Sequence, residues 1–264
     1  MESRIERLLK KLPEDVDAVL ITSGVHRQYF TGFQSSAGTL FAIKHAEAYF
    51  IIDFRYFEKA QRDVHGCKVL LQDKLFGQLR SLIKRHSVKK VVIESEYMTV
   101  SEFTRYQERL PDVSLVMDKR VDGVTRGMRM IKSPKELESM RTAQKITDGA
   151  FSHICGYIQP GKTERDIACE LLDFTYRHGS ERPSFDYIVV YGANSSMRHG
   201  VPTNKVVEAG DFITMDFGCV VDGYCSDMTR TVAVEKVSDK QKLIYDTVLK
   251  AQLAAIQSVR SGIL

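Results

Sequence analysis

Hydrophobic and polar positions in the first half of the chain alternate between two patterns. Short runs rich in apolar and β-branched residues, such as DAVLITS (17–23) and KKVVIES (89–95), have the length and composition of strands. Between such runs, RYFEKAQRDV (55–64), LFGQLRSLIKRH (75–86) and SEFTRYQERL (101–110) have the spacing of amphipathic helices. Strands that alternate with helices build α/β layers, so this half predicts one α/β domain.

The pattern changes in the second half. The charged, glycine-containing stretch 118–130 interrupts the alternation, and Ser133 to Glu136 then form a capping box with Pro at the first helical position. We therefore predict two domains, 1–128 and 133–264. Further capping signals at Thr163 and Ser238 predict a second and a third helix, with antiparallel strands between them, which is an α+β pattern.

Strand-like residues also flank an Asp-Gly dipeptide in MDFGCVVDGYCSDMTRTVAV (215–234). Asp-Gly is typical of a two-residue type I′ hairpin turn. Such a turn would pair Val221 with Tyr224, Gly218 with Asp227, and Asp216 with Thr229. Asp216 and Asp227 would then share one face as diagonal neighbours, about 7–8 Å apart, with open space over Gly218.

Two carboxylates that converge on a partly apolar patch repel each other unless a cation lies between them. In two-metal hydrolytic sites the ions lie about 3.5–4 Å apart, a span that carboxylates on adjacent strands can hold. The alternative is a hairpin whose Asp-bearing face lies in water, since a bulge or a one-residue slip would place the carboxylates on opposite faces. The spacing alone leaves both readings open.

A loop rich in Gly, Asn and Ser, YGANSSMRHGVPTN (191–204), joins two predicted strands before the hairpin. A single histidine in such a loop is more often a surface residue than a catalytic one. If the flanking strands are sheet neighbours, however, His199 lies over the end of the strand that carries Asp216. There its imidazole could hold a substrate carbonyl.

Composition narrows the range of functions. The net charge is +4 and the basic residues are scattered, so a nucleic-acid partner is not predicted. The five cysteines include no CxxC pair, which argues against a disulfide framework or a zinc knuckle and favours the cytoplasm. No signal-peptide core and no membrane-length apolar run is present in the sequence, so no membrane association is predicted.

Four segments together carry a family resemblance: RQYFTGFQSSAGTL (27–40), YFIIDFRYFEKAQ (49–61), SFDYIVVYGANSSMRHGVPTN (184–204) and GDFITMDFGCVVDGYCSDMTRTVAV (210–234). They resemble the Xaa-Pro aminopeptidase and Xaa-Pro dipeptidase (prolidase) branch of the pita-bread metallopeptidases. The resemblance implies an α/β N-terminal domain of the creatinase/prolidase type, followed by an incomplete α+β pita-bread catalytic domain. Arg198 is a departure, because the family commonly has Pro before the histidine.

The resemblance also implies the chemistry. Family members bind two divalent ions, with Mn²⁺ expected here and Co²⁺ or Zn²⁺ as alternatives, through two Asp, one His and two Glu. At matching positions, Asp216 would be the first carboxylate ligand, Asp227 would bridge both ions, and His199 would support the substrate carbonyl without binding metal. The implied substrate is a peptide with Pro at the second position, and the implied assembly of the complete protein is a homodimer.

A second departure concerns the remaining ligands, which in the family lie beyond the last predicted helix. No histidine follows His199, and Glu235 is the only glutamate after Asp227. We therefore expect a truncated chain that carries the front half of the metal site and an exposed apolar edge. A non-catalytic peptide- or protein-binding module and a creatinase-like amidinohydrolase are the alternatives, and the presence of Asp216 and Asp227 argues against both.

Overall fold

Six strands of the first half pair into one mixed sheet in a computed structural model, which describes residues 2–117 and 119–263. The strands are β1 (Ala18–Ile21), β2 (Thr39–Ile43), β3 (Ala48–Ile52), β4 (Lys68–Leu71), β5 (Lys90–Ile93) and β6 (Ser114–Val116). Their order in the sheet is β4-β3-β2-β1-β5-β6. The β1–β2 and β2–β3 pairs are antiparallel and the other pairs are parallel.

Six helices accompany this sheet within the described residues of the first half. They are α1 (Arg4–Lys11), α2 (Gly24–Thr31), α3 (Phe54–Asp63), α4 (Leu75–Arg85), α5 (Val100–Arg109) and α6 (Arg120–Met130). Alternate residues of β1 belong to two different hydrophobic clusters, Val19 to one and Leu20 to the other. Both faces of the sheet are therefore buried, which explains why its strands read as continuous apolar runs. The predicted α/β layer is confirmed.

The segment 118–130 corrects one expectation. We expected charge and glycine to interrupt the pattern there, but Arg120–Met130 form a helix. Val121, Val124 and Met128 are spaced three and four residues apart, and all three pack against the first cluster of the core. This apolar stripe outweighs the low helix propensity of the two glycines on the same helix.

The structure also settles an ion pair near the end of β3. Asp53 accepts a hydrogen bond from the Arg55 backbone amide as the N-cap of α3, and the Arg55 guanidinium lies 2.6 Å from the same carboxylate. Asp53 and Arg55 therefore form a salt bridge within the first unit.

The chain divides into two compact units, Met1–Lys132 and Ser133–Leu264. Three long helices of the second unit are α7 (Pro134–Tyr157), α8 (Glu164–Arg177) and α9 (Asp239–Ser258). Each begins at a capping box, with Ser133, Thr163 and Ser238 as the N-caps. The three helix starts read from the sequence are confirmed.

Six short strands lie between α8 and α9: β7 (Arg182–Pro183), β8 (Ile188–Tyr191), β9 (Phe212–Phe217), β10 (Cys219–Val221), β11 (Tyr224–Cys225) and β12 (Met228–Ala233). They form two three-stranded sheets, β12-β9-β8 and β11-β10-β7. Ile154 of α7 and Leu171 of α8 pack in one cluster with Ile213, Met215 and Phe217 of β9. Alternate residues of β9 are buried, so Thr214 and Asp216 point away from this core.

Helix α9 has no buried residue. Its large apolar side chains are exposed, among them Leu243, Ile244, Val248, Leu253 and Ile256. We expected an exposed apolar edge of the sheet in the second half, and the structure shows exposed apolar side chains on this helix. Among the described residues, no helix combines the length and the apolar character needed to cross a membrane.

Candidate functional site

The hairpin that carries the two aspartates has the predicted register. Val221 pairs with Tyr224 at the turn, and Asp216 pairs with Thr229 five residues further along. Asp222 and Gly223 both have positive φ, 50° and 79°, as a type I′ turn requires. The Asp-Gly dipeptide therefore fixed the pairing over the whole hairpin.

The hairpin bends at Gly218, where it passes from one small sheet to the other between β9 and β10. We expected open space over this glycine, and that expectation is wrong. A Cβ atom at Gly218 would lie 2.0 Å from the Ser226 carbonyl oxygen, so the partner strand fills the position. The Cys219 amide donates to the Ser226 hydroxyl at 3.0 Å, and the hydroxyl of Ser184 donates to the Ser226 carbonyl at 2.8 Å. The bend divides the hairpin between the two small sheets.

Asp216 and Asp227 lie next to each other across this bend. Burial raises the pKa of Asp216, and the charge and hydrogen bonding of Asp227 add to the rise, whereas a hydrogen bond with Thr229 and the nearby His199 act in the opposite direction. Asp216 is half-buried and Asp227 is exposed. The two carboxyl groups therefore share one patch, as the register predicted.

The fit of this pair to a metal ion depends on one atom. Asp216 Oδ1 is buried and has no hydrogen-bond partner among the residues that the structure describes. A buried carboxylate oxygen without a donor is costly, and a divalent cation shared with a neighbouring carboxylate would satisfy it. Within residues 2–117 and 119–263, no group of three or more His, Cys, Asp or Glu side chains is arranged to hold a metal ion. The described residues thus bring two carboxylates together, without a third metal-binding side chain arranged beside them.

His199 lies in the loop between β8 and β9. These strands are antiparallel neighbours, with Ile188 opposite Asp216 and Tyr191 opposite Ile213. The loop therefore leaves the sheet at the end of β8 that is remote from Asp216. It folds back so that His199, which is exposed, acts electrostatically on the Asp216 carboxyl. His199 therefore lies within electrostatic range of Asp216, although the loop leaves the sheet at the opposite end of β8.

Sequence reasoning missed Glu164. The TERD segment (163–166) reads as a capping signal, and Thr163 and Asp166 do form the capping box. Glu164 between them is completely buried and accepts hydrogen bonds from residues at both ends of the His199 loop. A buried carboxylate at the first position of a helix leaves no signal in the hydrophobic pattern, because charged residues are usual there.

Two family profiles match the chain in sequence. Residues 4–131 match the creatinase/prolidase N-terminal domain, and residues 138–264 match metallopeptidase family M24. The Xaa-Pro dipeptidase of Pyrococcus furiosus is 30% identical over 264 residues, which are 99% of this chain and 73% of the relative.

Solved structures show the same fold. An Xaa-Pro dipeptidase from Bacillus anthracis superposes with a TM-score of 0.91 at 36% identity, covering 98% of this chain and 72% of the other. An X-Pro aminopeptidase from Thermotoga maritima gives a TM-score of 0.85 at 32% identity, covering 95% of this chain and 70% of the other. The first unit is thus a creatinase/prolidase N-terminal domain and the second has the pita-bread fold. The chain belongs to metallopeptidase family M24, a family of peptidases that includes Xaa-Pro dipeptidases and aminopeptidases.

Proposed function

We propose that the protein hydrolyses the peptide bond between an N-terminal residue and a Pro at the second position, using two divalent ions, Mn²⁺ in preference to Co²⁺ or Zn²⁺. The observation that carries the proposal is the buried, unpartnered Asp216 Oδ1 beside Asp227, in a chain of metallopeptidase family M24. Carboxylate oxygens suit Mn²⁺ better than they suit softer ions.

The residues of the chain have separate tasks in this reaction. Asp216 and Asp227 hold the cations, which relieves the repulsion and the burial cost that raise the pKa of Asp216. When bound, such ions lower the pKa of a water molecule and polarise the scissile carbonyl. The His199 imidazole donates a hydrogen bond to the carbonyl oxygen as negative charge develops there, and does so without binding metal.

The setting of the reaction is also a proposal. Five free cysteines suit a reducing compartment, so we place the protein in the cytoplasm. Its partners are peptides with Pro at the second position, and we propose that the complete protein forms a homodimer.

A chimera tests the activity. This chain covers 72% of the Bacillus anthracis dipeptidase, which leaves 28% of that protein outside the match. In the chimera, residues 1–264 would be joined to that remaining part. We expect Mn²⁺-dependent cleavage of Xaa-Pro dipeptides or Xaa-Pro-Xaa peptides by the chimera. Asp227→Asn should abolish metal binding and cleavage together, whereas Asp222→Asn, in the turn of the same hairpin, should leave both intact. Cleavage by the Asp227→Asn chimera, with normal metal content by elemental analysis, would contradict the assignment.

Residues 1–264 by themselves serve as the comparison. Two carboxylates leave most coordination positions of a divalent ion to water, so we propose weak metal binding and no turnover for this polypeptide. The same peptides would be assayed with added Mn²⁺. Metal-dependent turnover by residues 1–264 would show that the two carboxylates suffice, and this part of the proposal would be wrong.

A further inference from the structure

Glu164, the first residue of α8, is 0% exposed. Its carboxylate accepts four hydrogen bonds. Oε1 accepts from the Tyr191 amide at 2.7 Å and from Asn194 Nδ2 at 3.1 Å. Oε2 accepts from the Thr203 amide at 2.9 Å and from the Thr203 hydroxyl at 2.6 Å. An ionised carboxylate has about four acceptor positions and no donor, so this set of donors occupies it fully.

The donors bracket the loop that carries His199. Tyr191 is the last residue of β8 and Asn194 lies in the 3₁₀ turn Gly192–Ser196 that follows it, so one oxygen holds the start of the loop. Thr203 lies four residues after His199, so the other oxygen holds its end. The Glu164 side chain therefore joins the backbone at residue 191 to the backbone at residue 203, 12 positions later.

Backbone contacts reinforce the exit of the loop. The Glu164 amide donates to the Lys205 carbonyl and the Arg165 amide donates to the Thr203 carbonyl, both at 3.1 Å. These amides are among the helix N-terminal donors that have no partner within the helix. The amides at the start of α8 and the carbonyls at the end of the loop are therefore hydrogen-bonded to each other.

The backbone next to His199 also packs against strand β8. Gly200, the next residue, is buried, and a Cβ atom there would lie 2.4 Å from Val190 Cγ1. The loop backbone therefore rests directly on β8 beside His199. The backbone next to His199 is thus held at Gly200 by this packing and at Thr203 by Glu164.

The charge of Glu164 fits this arrangement. Burial alone would raise the pKa of Glu164, but the hydrogen bonds from Thr203, Tyr191 and Asn194 outweigh it and the pKa is lowered. The carboxylate is thus ionised, and charge-assisted hydrogen bonds are stronger than neutral ones.

We propose that Glu164 is a positioning residue that sets the place of His199 relative to Asp216 by fixing both ends of the loop. The inference rests on the proposed function, because it gives His199 its task. A role confined to stability would make a Glu164 variant unfold more easily but would leave His199 in place in the folded protein. The two roles therefore differ in a measurement of where the imidazole lies.

Paramagnetic broadening by Mn²⁺ makes that measurement on residues 1–264, and needs neither turnover nor tight binding. Mn²⁺ bound at the aspartate pair should broaden the amide resonance of Thr229, which pairs with Asp216, and the ring resonances of His199. Glu164→Gln keeps the size of the side chain but places an amide donor against one pair of donors. We expect it to reduce the broadening of His199 and to retain that of Thr229.

Two further variants complete the set. Asp166→Asn is the matched control: it lies in the same helical turn, is exposed, and bonds to Thr163 rather than to the loop. It should leave both signals as in the unmodified protein. Thr203→Val removes one of the four donors while keeping the backbone amide, and should weaken the His199 broadening. If Glu164→Gln does not fold, the Thr203→Val variant provides the test.

The outcomes separate the two proposals. Full His199 broadening in Glu164→Gln and Thr203→Val, with Thr229 still broadened, would overturn the positioning role and leave the metal site standing. Absence of Thr229 broadening in the unmodified protein would overturn the metal site instead. In that case trypsin cleavage after the exposed Arg198 decides the positioning role: Glu164→Gln should accelerate it relative to Asp166→Asn, and equal rates would overturn it.

Discussion

Asp216 and His199 differ in how their surroundings prepare them. Asp216 has a buried oxygen without a donor and a raised pKa, caused by burial and by Asp227. A bound cation would give this oxygen a partner and would also lower the pKa of Asp216. His199 is exposed, and the loop that carries it is held at both ends by Glu164. We propose that the first residue binds a cation and that the second stabilises the charge that develops during hydrolysis.

Replacing His199 separates these tasks. In the chimera that tests the proposed activity, His199→Ala should lower kcat by about 10²–10³-fold, because one preorganised donor to the developing negative charge is lost. Metal content, measured by elemental analysis, should not change. Loss of metal in this variant would mean that His199 is a ligand and that its assigned role is wrong.

Residues with local partners were predictable from the sequence, and residues with distant ones were not. The Asp216–Asp227 pair follows from a turn of two residues and the alternation of a strand. Glu164 binds backbone and side-chain donors that are 27 to 39 positions away. Backbone amides carry no sequence signal, so only the folded chain reveals that carboxylate as the anchor of the His199 loop.

At the scale of elements, the hairpin depends on the close crossing at Gly218. Its neighbouring strands keep one register from Asp216 to the turn, yet the bend assigns them to two sheets. The sequence predicted the register but not the bend. The Asp-Gly turn determines which residues pair, but it does not determine the distance between the two strand backbones at Gly218. Helix α6 shows the converse: its glycines suggested an interruption, and three core contacts overrode them.

Gly218→Ala should therefore destabilise the second unit. The new Cβ would meet the Ser226 carbonyl, and backbone atoms must shift to admit it, at a cost of about 1–3 kcal/mol. Gly156→Ala is the matched control, since Gly156 lies in α7 with nothing within 4 Å of its Cβ position. That change should be neutral or stabilise by about 0.4–1 kcal/mol. Urea denaturation of both variants measures the difference, and equal free energies of unfolding would contradict the close crossing.

At the scale of the molecule, the chain consists of two units of different architecture, and each unit matches one domain of the peptidase relatives. The first unit is a mixed sheet buried on both faces, and the second carries every residue of the candidate site: Glu164, His199, Asp216 and Asp227. The chain spans 73% of the Pyrococcus furiosus dipeptidase and 72% of the Bacillus anthracis structure. Its peptidase-family fold follows from these matches, whereas the metal site that we propose rests on two carboxylates and one oxygen that has no partner among the described residues.

The central claim is that Asp216 and Asp227 together bind a divalent ion, and electron paramagnetic resonance of Mn²⁺ titrated into residues 1–264 tests it most directly. The unmodified protein should show weak, saturable binding. Asp216→Asn and Asp227→Asn should each abolish that binding, and Asp222→Asn and His199→Ala should retain it. Binding that persists unchanged in both Asp216→Asn and Asp227→Asn, or its absence from the unmodified protein, would contradict the account.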